Sequence, residues 1–155
     1  MGFGALCAAL PKGVESQTIY DPSIQSPPIS FLQSPNPSDV SRLYLEWQLV
    51  QKANKLVGRY GGQCVTFARN FTQAAPSLVG GMAKNIPTNT NTPIVGAIVK
   101  TNESRFGHLG VVIADDDDNL TIVESNYHWN GIIDIREISA TDPRIVGYLQ
   151  LIKLQ

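Results

Sequence analysis

The sequence has little cysteine and histidine, no excess of basic residues and no long apolar run. Two cysteines, Cys7 and Cys64, are too few for a disulfide framework or a four-cysteine zinc site, although a single disulfide stays open. The 12 basic and 13 acidic residues give a net charge of −1, which disfavours a nucleic-acid partner. No segment approaches the roughly 18 to 20 consecutive apolar residues of a membrane-spanning helix.

The first ten residues are apolar and rich in small side chains, which superficially suggests a secretory signal peptide. A signal peptide carries basic residues before its apolar run, whereas here Lys12 follows that run. The residues therefore favour an ordered or disordered arm over a signal peptide, and the route of export stays open.

A proline-rich segment, from Pro11 to Pro37, comes next and also contains many Ser, Gln and Asn residues. Proline at this density blocks helices and central strands. We predict that residues 1–38 form an arm or linker, either a disordered tail or an element that binds a partner. The remaining residues, 39–155, have the length of one domain with a core of its own.

Two helices are predicted at the start of that domain. The first is capped by Ser38 or Asp39 and ends at Gly58. Its apolar side chains, aromatics included, recur at helical spacing and are expected to face the core: Val40, Leu43, Tyr44, Trp47, Val50 and Val57. The second follows Gly61-Gly62, places Cys64, Ala68 and Phe71 on one face, and ends near Ala74-Ala75.

Beyond a loop at 77–92, the pattern changes to short β-branched runs separated by turns. These predict strands at 94–100, 108–114, 120–126, 132–138 and 148–154, with an Asp-rich hairpin turn at 115–119. The predicted fold class is α+β, with N-terminal helices packed on an antiparallel sheet of about five strands.

Cys64 has the setting of a reactive thiol. It lies on the first turn of the second helix, where the backbone N–H groups and the helix dipole favour the thiolate. By itself, a small cysteine side chain at a helix start is more often there only for packing.

His108 and the Glu124-Ser125-Asn126 segment supply the groups that a cysteine nucleophile needs. A histidine that opens a strand between two glycines can take a thiol proton and return it to a leaving amine. Residues i and i+2 of a strand share a face, so Glu124 and Asn126 would project together and could orient the imidazole. A packing histidine and a polar pair facing water are the plainer alternatives.

These features, in this order, resemble the CHAP family of cysteine, histidine-dependent amidohydrolases and peptidases. The resemblance covers about Val40 to Leu154, outside the N-terminal arm. It includes Gln63-Cys64, the strand entry at 93–99, Gly107-His108, the Glu124 and Asn126 pair, and the closing segment from Arg136 to Leu149.

The resemblance implies a papain-like fold and a role for each matching residue. Cys64 would be the nucleophile, His108 the general base and Glu124 the residue that orients His108, with Asn126 assisting nearby. Gln63 and the backbone N–H of Cys64 are the candidates for stabilising the oxyanion. The mechanism is acyl transfer through a thioester and requires no cofactor.

The same resemblance implies a substrate class. The family hydrolyses peptidoglycan, at the muramyl–alanine amide or at a peptide cross-link, and some members act on glutathionylspermidine-type amides. We therefore expect action at the bacterial cell wall, outside the cytoplasm or on a virion.

No metal is expected. Some CHAP domains bind calcium through Asp residues just before the cysteine, but no Asp occurs between Val40 and Cys64. The run from Asp115 to Asp118 is typical of a solvated turn and lacks the spacing of an EF-hand. A zinc site made from Cys64, His108 and His128 lacks the usual ligand spacing.

The loop after Glu124 carries the other histidine between two aromatic residues. Tyr127, His128 and Trp129 are candidates for the wall of a substrate groove. We favour His108 over His128 as the base because of its place at the start of a strand.

Two other classes of function stay open. One is a structural part of a phage tail or secretion apparatus, reached through the N-terminal arm; the other is an amidase toxin or effector.

Overall fold

The computed structural model describes residues 36–73 and 81–150. Within these ranges the chain forms two α-helices, one short 3-10 helix and five strands: α1 (Pro37–Asn54), α2 (Cys64–Thr72), the 3-10 helix (Ala83–Asn85), β1 (Ile98–Thr101), β2 (His108–Asp115), β3 (Asn119–Ser125), β4 (Ile133–Ser139) and β5 (Ile145–Leu149). The predicted α+β class is confirmed. Apart from residues 36–38, the predicted arm lies outside the described residues.

The five strands form one sheet in the order β4-β3-β2-β1-β5, with every neighbouring pair antiparallel. The acidic turn joins β2 to β3 as predicted. Its carboxylates accept hydrogen bonds from the turn's own backbone, Asp117 N–H to Asp115 Oδ1 at 3.1 Å and Asn119 N–H to Asp116 Oδ1 at 2.7 Å. This explains the run of aspartates as turn chemistry.

The two outer predicted strand boundaries were wrong. β1 begins at Ile98 and not at Ile94, because the preceding residues form a turn in which Ala97 N–H binds the Ile94 carbonyl and Gly96 has φ +88°. β5 begins three residues earlier than predicted, at Ile145, and 151–154 lie outside the described residues.

α2 packs on the sheet through a buried apolar face. Val65, Phe67, Ala68 and Phe71 are buried and join a cluster that includes the inward side chains of β2 and β3. The helix ends at Thr72, two residues before the predicted end, because Gln73 adopts the left-handed conformation (φ 58°) that closes a helix.

α1 turns a different face to the core from the one predicted. Its N-cap is Asn36, whose side chain accepts from Ser38 N–H, rather than Ser38 or Asp39. The helix ends at Asn54 and a turn then leads to Gly58, whose φ is +78°. The contacts with the core come from Leu45, Leu49, Val50, Ala53 and Leu56.

The predicted apolar stripe of α1 is largely exposed. Val40, Leu43, Tyr44 and Val57 lie at the surface, and Tyr44 stacks on the half-buried Trp47. The helix carries two apolar stripes at helical spacing, and the spacing alone does not tell which one faces the sheet. Of the predicted stripe only Val50 is fully buried.

Candidate active site

Cys64 is the first residue of α2 and follows a loop held tightly against the sheet. A Cβ on Gly61 would meet Ile133 Cγ1 at 2.5 Å and Ser125 Oγ at 2.7 Å, so only glycine fits there. The N–H groups of Gly61 and Gly62 both bind the carbonyl of Gly131, at 2.8 and 3.1 Å. The glycine pair therefore fixes the backbone that leads into the thiol.

The Cys64 thiol and the His108 imidazole line the same groove and lie close enough for each to shift the pKa of the other. Partial burial of the thiol disfavours its ionisation, but the interaction with His108 and the nearby backbone N–H groups together outweigh burial and lower the pKa of Cys64. Hydrogen bonds from the backbone N–H groups of Leu109 and Val65 act in the same direction. Of these two N–H groups, that of Val65 belongs to the first turn of α2.

His108 lies between the thiol and a carboxylate. Its Nε2 is 3.1 Å from Glu124 Oε2, so the other ring nitrogen, Nδ1, is the one left for Cys64. Burial alone would lower the pKa of His108, but hydrogen bonds with Cys64 and Glu124 raise it to about 9. A lowered cysteine pKa and a raised histidine pKa together favour a thiolate–imidazolium pair.

Sheet register explains why Glu124 reaches His108. Glu124 lies directly across from Gly110 in the β2–β3 pair, and His108 is two residues before Gly110, on the same face. Gly110 has no side chain, so the Glu124 carboxylate extends diagonally to the imidazole. Glu124 has no exposed surface.

Arg136 and Glu103 extend this network of charges toward the surface, and sequence reasoning did not assign a role to either. Arg136 Nε donates to Glu124 Oε1 at 2.6 Å, and its Nη2 donates to Glu103 Oε2 at 2.9 Å. The guanidinium also lies over the Tyr127 ring, 4.2 Å from its centroid. The carboxylate that holds His108 is thus itself held by a cation.

Asn126 does not occupy the position that sequence reasoning expected. β3 ends at Ser125, and Asn126 has φ +68°, so it does not continue the strand face of Glu124. Its side chain binds Gln63 and the backbone of Gly131. The predicted shared face was wrong because the strand ends one residue too early.

A groove of about 760 Å³ runs past the thiol and the imidazole. Tyr127, His128 and Trp129 line it, as predicted, together with Phe106 and Met82. Tyr127 packs its edge against His108 with the ring centroids 5.7 Å apart, while Trp129 is 66% exposed and meets Phe106 edge-on. His128 lies in the groove wall, and its ring contacts Tyr127.

The described residues contain neither a cluster of metal-binding side chains nor a membrane-spanning helix. In 36–73 and 81–150, no group of three or more His, Cys, Asp or Glu side chains is arranged to hold a metal ion. None of the helices in those ranges combines the length and hydrophobicity needed to cross a membrane.

Comparison with known proteins gives relatives for most of the chain. Two sequences named staphylococcal secretory antigen SsaA, both from Staphylococcus epidermidis, are 27% identical to it over 150 residues, 96% of this chain. The chain spans 54% of the length of these relatives.

Two crystal structures share the fold. Ly7917 and Ly7917 with the hydrolyzing product of MDP superpose with TM-scores of 0.52 and 0.54 at 23% identity. The similarity covers 66% of this chain and 60% and 61% of the respective Ly7917 chains.

A family model, the CHAP domain, matches residues 53–126. The matched segment contains Cys64, His108, Glu124 and Asn126. The predicted resemblance to the CHAP family is confirmed over these residues.

Proposed function

We propose that this chain is a cysteine hydrolase that cleaves amide bonds in bacterial peptidoglycan. The observation that carries the proposal is the placement of Cys64 beside His108 in an open groove, with His108 hydrogen-bonded to the buried Glu124. A nucleophile, a base and a group that orients the base are the three parts of a covalent acyl-transfer site.

The mechanism begins with the thiolate–imidazolium pair. Cys64 Sγ adds to the amide carbonyl carbon, and the π electron pair of the carbonyl moves to its oxygen. The C–N bond then breaks as the His108 imidazolium gives its proton to the amine, leaving a thioester. Water, deprotonated by His108, attacks the thioester, and Cys64 leaves as the thiolate. Every group that reacts belongs to the protein, the substrate or water.

Glu124 fixes the tautomer of His108 during these steps. Its carboxylate only accepts, so His108 Nε2 keeps its hydrogen and Nδ1 faces the thiol. Arg136 holds the second carboxylate oxygen and so prevents Glu124 from turning away.

The developing oxyanion has two candidate donors on the other side of the thiol. The backbone N–H of Cys64, at the first position of α2, has no carbonyl partner within its own helix. The Gln63 side chain is exposed and lines the groove. Donors aimed at this position stabilise the transition state more than the ground state.

Three observations support peptidoglycan as the substrate. A CHAP domain model matches residues 53–126, the named relatives are secretory antigens, and Ly7917, which shares the fold, has been solved with the hydrolyzing product of MDP. The groove offers Trp129 and Tyr127, which suit stacking on sugar rings and contacts with short peptides. Action at the cell wall follows from this substrate.

The test is mass spectrometry of fragments released from purified peptidoglycan of several chemotypes, comparing wild type with Cys64→Ala. We expect release by the wild type and none by the variant, because removing the nucleophile removes the thioester route. The new fragment ends identify the bond and separate an amidase from an endopeptidase.

The two histidines provide a matched control. His108→Ala should abolish release, whereas His128→Ala, in the same groove, should retain it within about tenfold, because His128 contacts neither the thiol nor Glu124. A folded wild-type protein that releases nothing from any wall would refute the proposal and favour the structural role in a larger assembly.

A further inference from the structure

Asn126 connects the loop after β3 to the residue that precedes the nucleophile. Its Nδ2 donates to Gln63 Oε1 at 3.0 Å, and its Oδ1 accepts from the N–H of Gly131 at 2.8 Å. Asn126, Gln63 and Cys64 all line the same groove. The amide of Asn126 is therefore one link in a chain of neutral hydrogen bonds that ends beside the thiol.

One backbone group fixes the direction of every hydrogen bond in this network. The N–H of Gly131 can only donate, so Asn126 must accept with Oδ1 and present Nδ2 to Gln63. Gln63 must then accept with Oε1, which leaves its Nε2 group as a donor with two hydrogens. The orientation of both amides follows from the network itself.

Nothing else in the described part of the chain uses that Nε2 group. Gln63 is the N-cap residue of α2, yet its side chain makes no capping hydrogen bond, so it is not committed to the helix. Among residues 36–73 and 81–150, Gln63 Nε2 has no acceptor. Its two hydrogens are available to a group bound in the groove.

The end of the hydrogen-bond network away from the thiol, at Gly131, is held rigidly. The Gly131 carbonyl accepts hydrogen bonds from Gly61 N–H, Gly62 N–H and the buried hydroxyl of Ser125. The left-handed conformation of Asn126 (φ +68°) is one that asparagine tolerates and most residues do not. The residue type at 126 thus satisfies the backbone and the network together.

We propose that Asn126 is a positioning residue of the oxyanion hole: it fixes the side-chain amide of Gln63 so that Nε2 faces the substrate carbonyl oxygen. The inference rests on the proposed function, and it gives Asn126 a different role from orienting His108. When Cys64 Sγ bonds to the carbonyl carbon, the negative oxygen accepts hydrogen bonds from Gln63 Nε2 and the Cys64 backbone N–H.

The sharpest substitution is Asn126→Asp, because the two residues have nearly the same shape. The carboxylate still accepts from Gly131 N–H, but it cannot donate to Gln63 and accepts from Nε2 instead. The Gln63 amide then turns over and directs its oxygen at the oxyanion. We expect kcat to fall on the order of 10²- to 10³-fold with little change in KM, as in Gln63→Ala.

A double-mutant cycle tests whether Asn126 acts through Gln63. In the Gln63→Ala background, Asn126→Asp should cause no further loss of kcat, because the group it positions is gone. Asn126→Gly, which suits a positive φ and adds no charge, should reproduce the result. The rate and pH dependence of Cys64 alkylation by iodoacetamide should stay unchanged in the glycine variant, because alkylation forms no oxyanion.

Three results would overturn the inference. One is additive loss in the double variant. Another is a shift in the pH dependence of Cys64 alkylation in Asn126→Gly, of the kind that a change at His108 would cause. The third is hydrolysis by Asn126→Asp at the wild-type rate.

A dipeptide aldehyde ending in alaninal separates this inference from the proposed function, since its hemithioacetal with Cys64 forms the same oxyanion without any hydrolysis. If the protein does not hydrolyse peptidoglycan, but Asn126→Asp and Gln63→Ala lower the affinity for the aldehyde non-additively, then peptidoglycan is not the substrate and the positioning role of Asn126 stands. Wild type that binds no aldehyde and hydrolyses nothing overturns both.

Discussion

The two sides of the Cys64 thiol are built from different interactions. On one side, His108, Glu124 and Arg136 form a buried network of charged groups, linked by hydrogen bonds of 3.1 and 2.6 Å. On the other side, Gln63 and Asn126 form a neutral network of amides and backbone groups, partly open to solvent.

The difference decides what each side contributes. A buried charge that loses its partner carries a large desolvation cost, so the charged side tolerates few changes and sets the protonation state of the thiol. An exposed amide can rebind water at little cost, so the neutral side contributes geometry more than stability.

Glu124→Gln breaks the charged side at its centre. Arg136 can only donate, so the new amide must give its oxygen to Arg136 and turn its NH₂ group toward His108 Nε2. His108 must then carry its hydrogen on Nδ1 and cannot take the thiol proton. We expect kcat to fall on the order of 10³- to 10⁴-fold, measured by fragment release, with the new tautomer visible by ¹⁵N NMR.

Glu103→Gln is the matched control for that substitution. Glu103 also binds Arg136 but does not touch His108 in the network. We expect it to lower the free energy of unfolding by about 1–3 kcal/mol while the tautomer of His108 stays the same. Equal losses of kcat in the two variants would show that the charged side acts only through folding.

The pH dependence of hydrolysis tests the charged side without any substitution. Hydrolysis should rise with pH as Cys64 loses its proton, and fall by about tenfold per pH unit above about 9, where His108 loses the proton destined for the leaving amine. The folded pKa of His108 lies above the unfolded value near 6.5, so its protonation stabilises the fold. That stabilisation is fully present below about pH 6.5 and is lost as the pH rises through about 9.

Measurement of kcat/KM from pH 4 to 11 checks this profile, and urea unfolding over the same range checks the stability. An alkaline limb near pH 6.5, that of an ordinary histidine, would contradict the ion pair.

Gly131→Ala breaks the neutral side. Gly131 has φ +72°, and a Cβ there would overlap the Tyr60 ring. We expect a loss of about 1–3 kcal/mol in the free energy of unfolding and lower kcat, because the carbonyl and N–H that hold the loop and Asn126 are displaced. The alkylation rate of Cys64 should change less than kcat.

Gly58→Ala is the control for backbone strain alone. Gly58 has a similar φ of +78°, but a Cβ there meets nothing within 4 Å. The difference between the two variants isolates the contact with Tyr60. Equal kcat in both would show that the position of Gly131 does not matter to the neutral side.

Sequence reasoning predicted the elements that local patterns specify. The helix-borne Cys64, the strand that His108 opens and the hairpin that brings Glu124 back beside it all depend on short-range spacing and on antiparallel pairing of consecutive strands. The lining of the groove by Tyr127, His128 and Trp129 followed from their loop position.

What sequence reasoning missed depends on contacts between distant residues. Arg136 and Glu103 are charged residues of a kind that is usually solvated, and only the folded chain brings Arg136 to Glu124 and Glu103 to Arg136. The direction of the Asn126 side chain depended on whether β3 ends at residue 125 or 126. A strand pattern in the sequence does not resolve a boundary to one residue. The buried face of α1 depended on a choice between two similar apolar stripes.

Arg144→Ala should have the smallest effect and marks where the charged side ends. Arg144 Nη1 lies 3.2 Å from Glu103 Oε1, but its guanidinium is about half exposed and also binds Asp142. Exposed ion pairs contribute little because water and salt replace them. We therefore expect kcat within about twofold of wild type and no measurable shift in the urea midpoint, in contrast to Glu103→Gln. A loss of kcat as large as that of Glu124→Gln would mean that the network works as one unit out to the surface, and the boundary between buried and exposed charge would not be the one that matters.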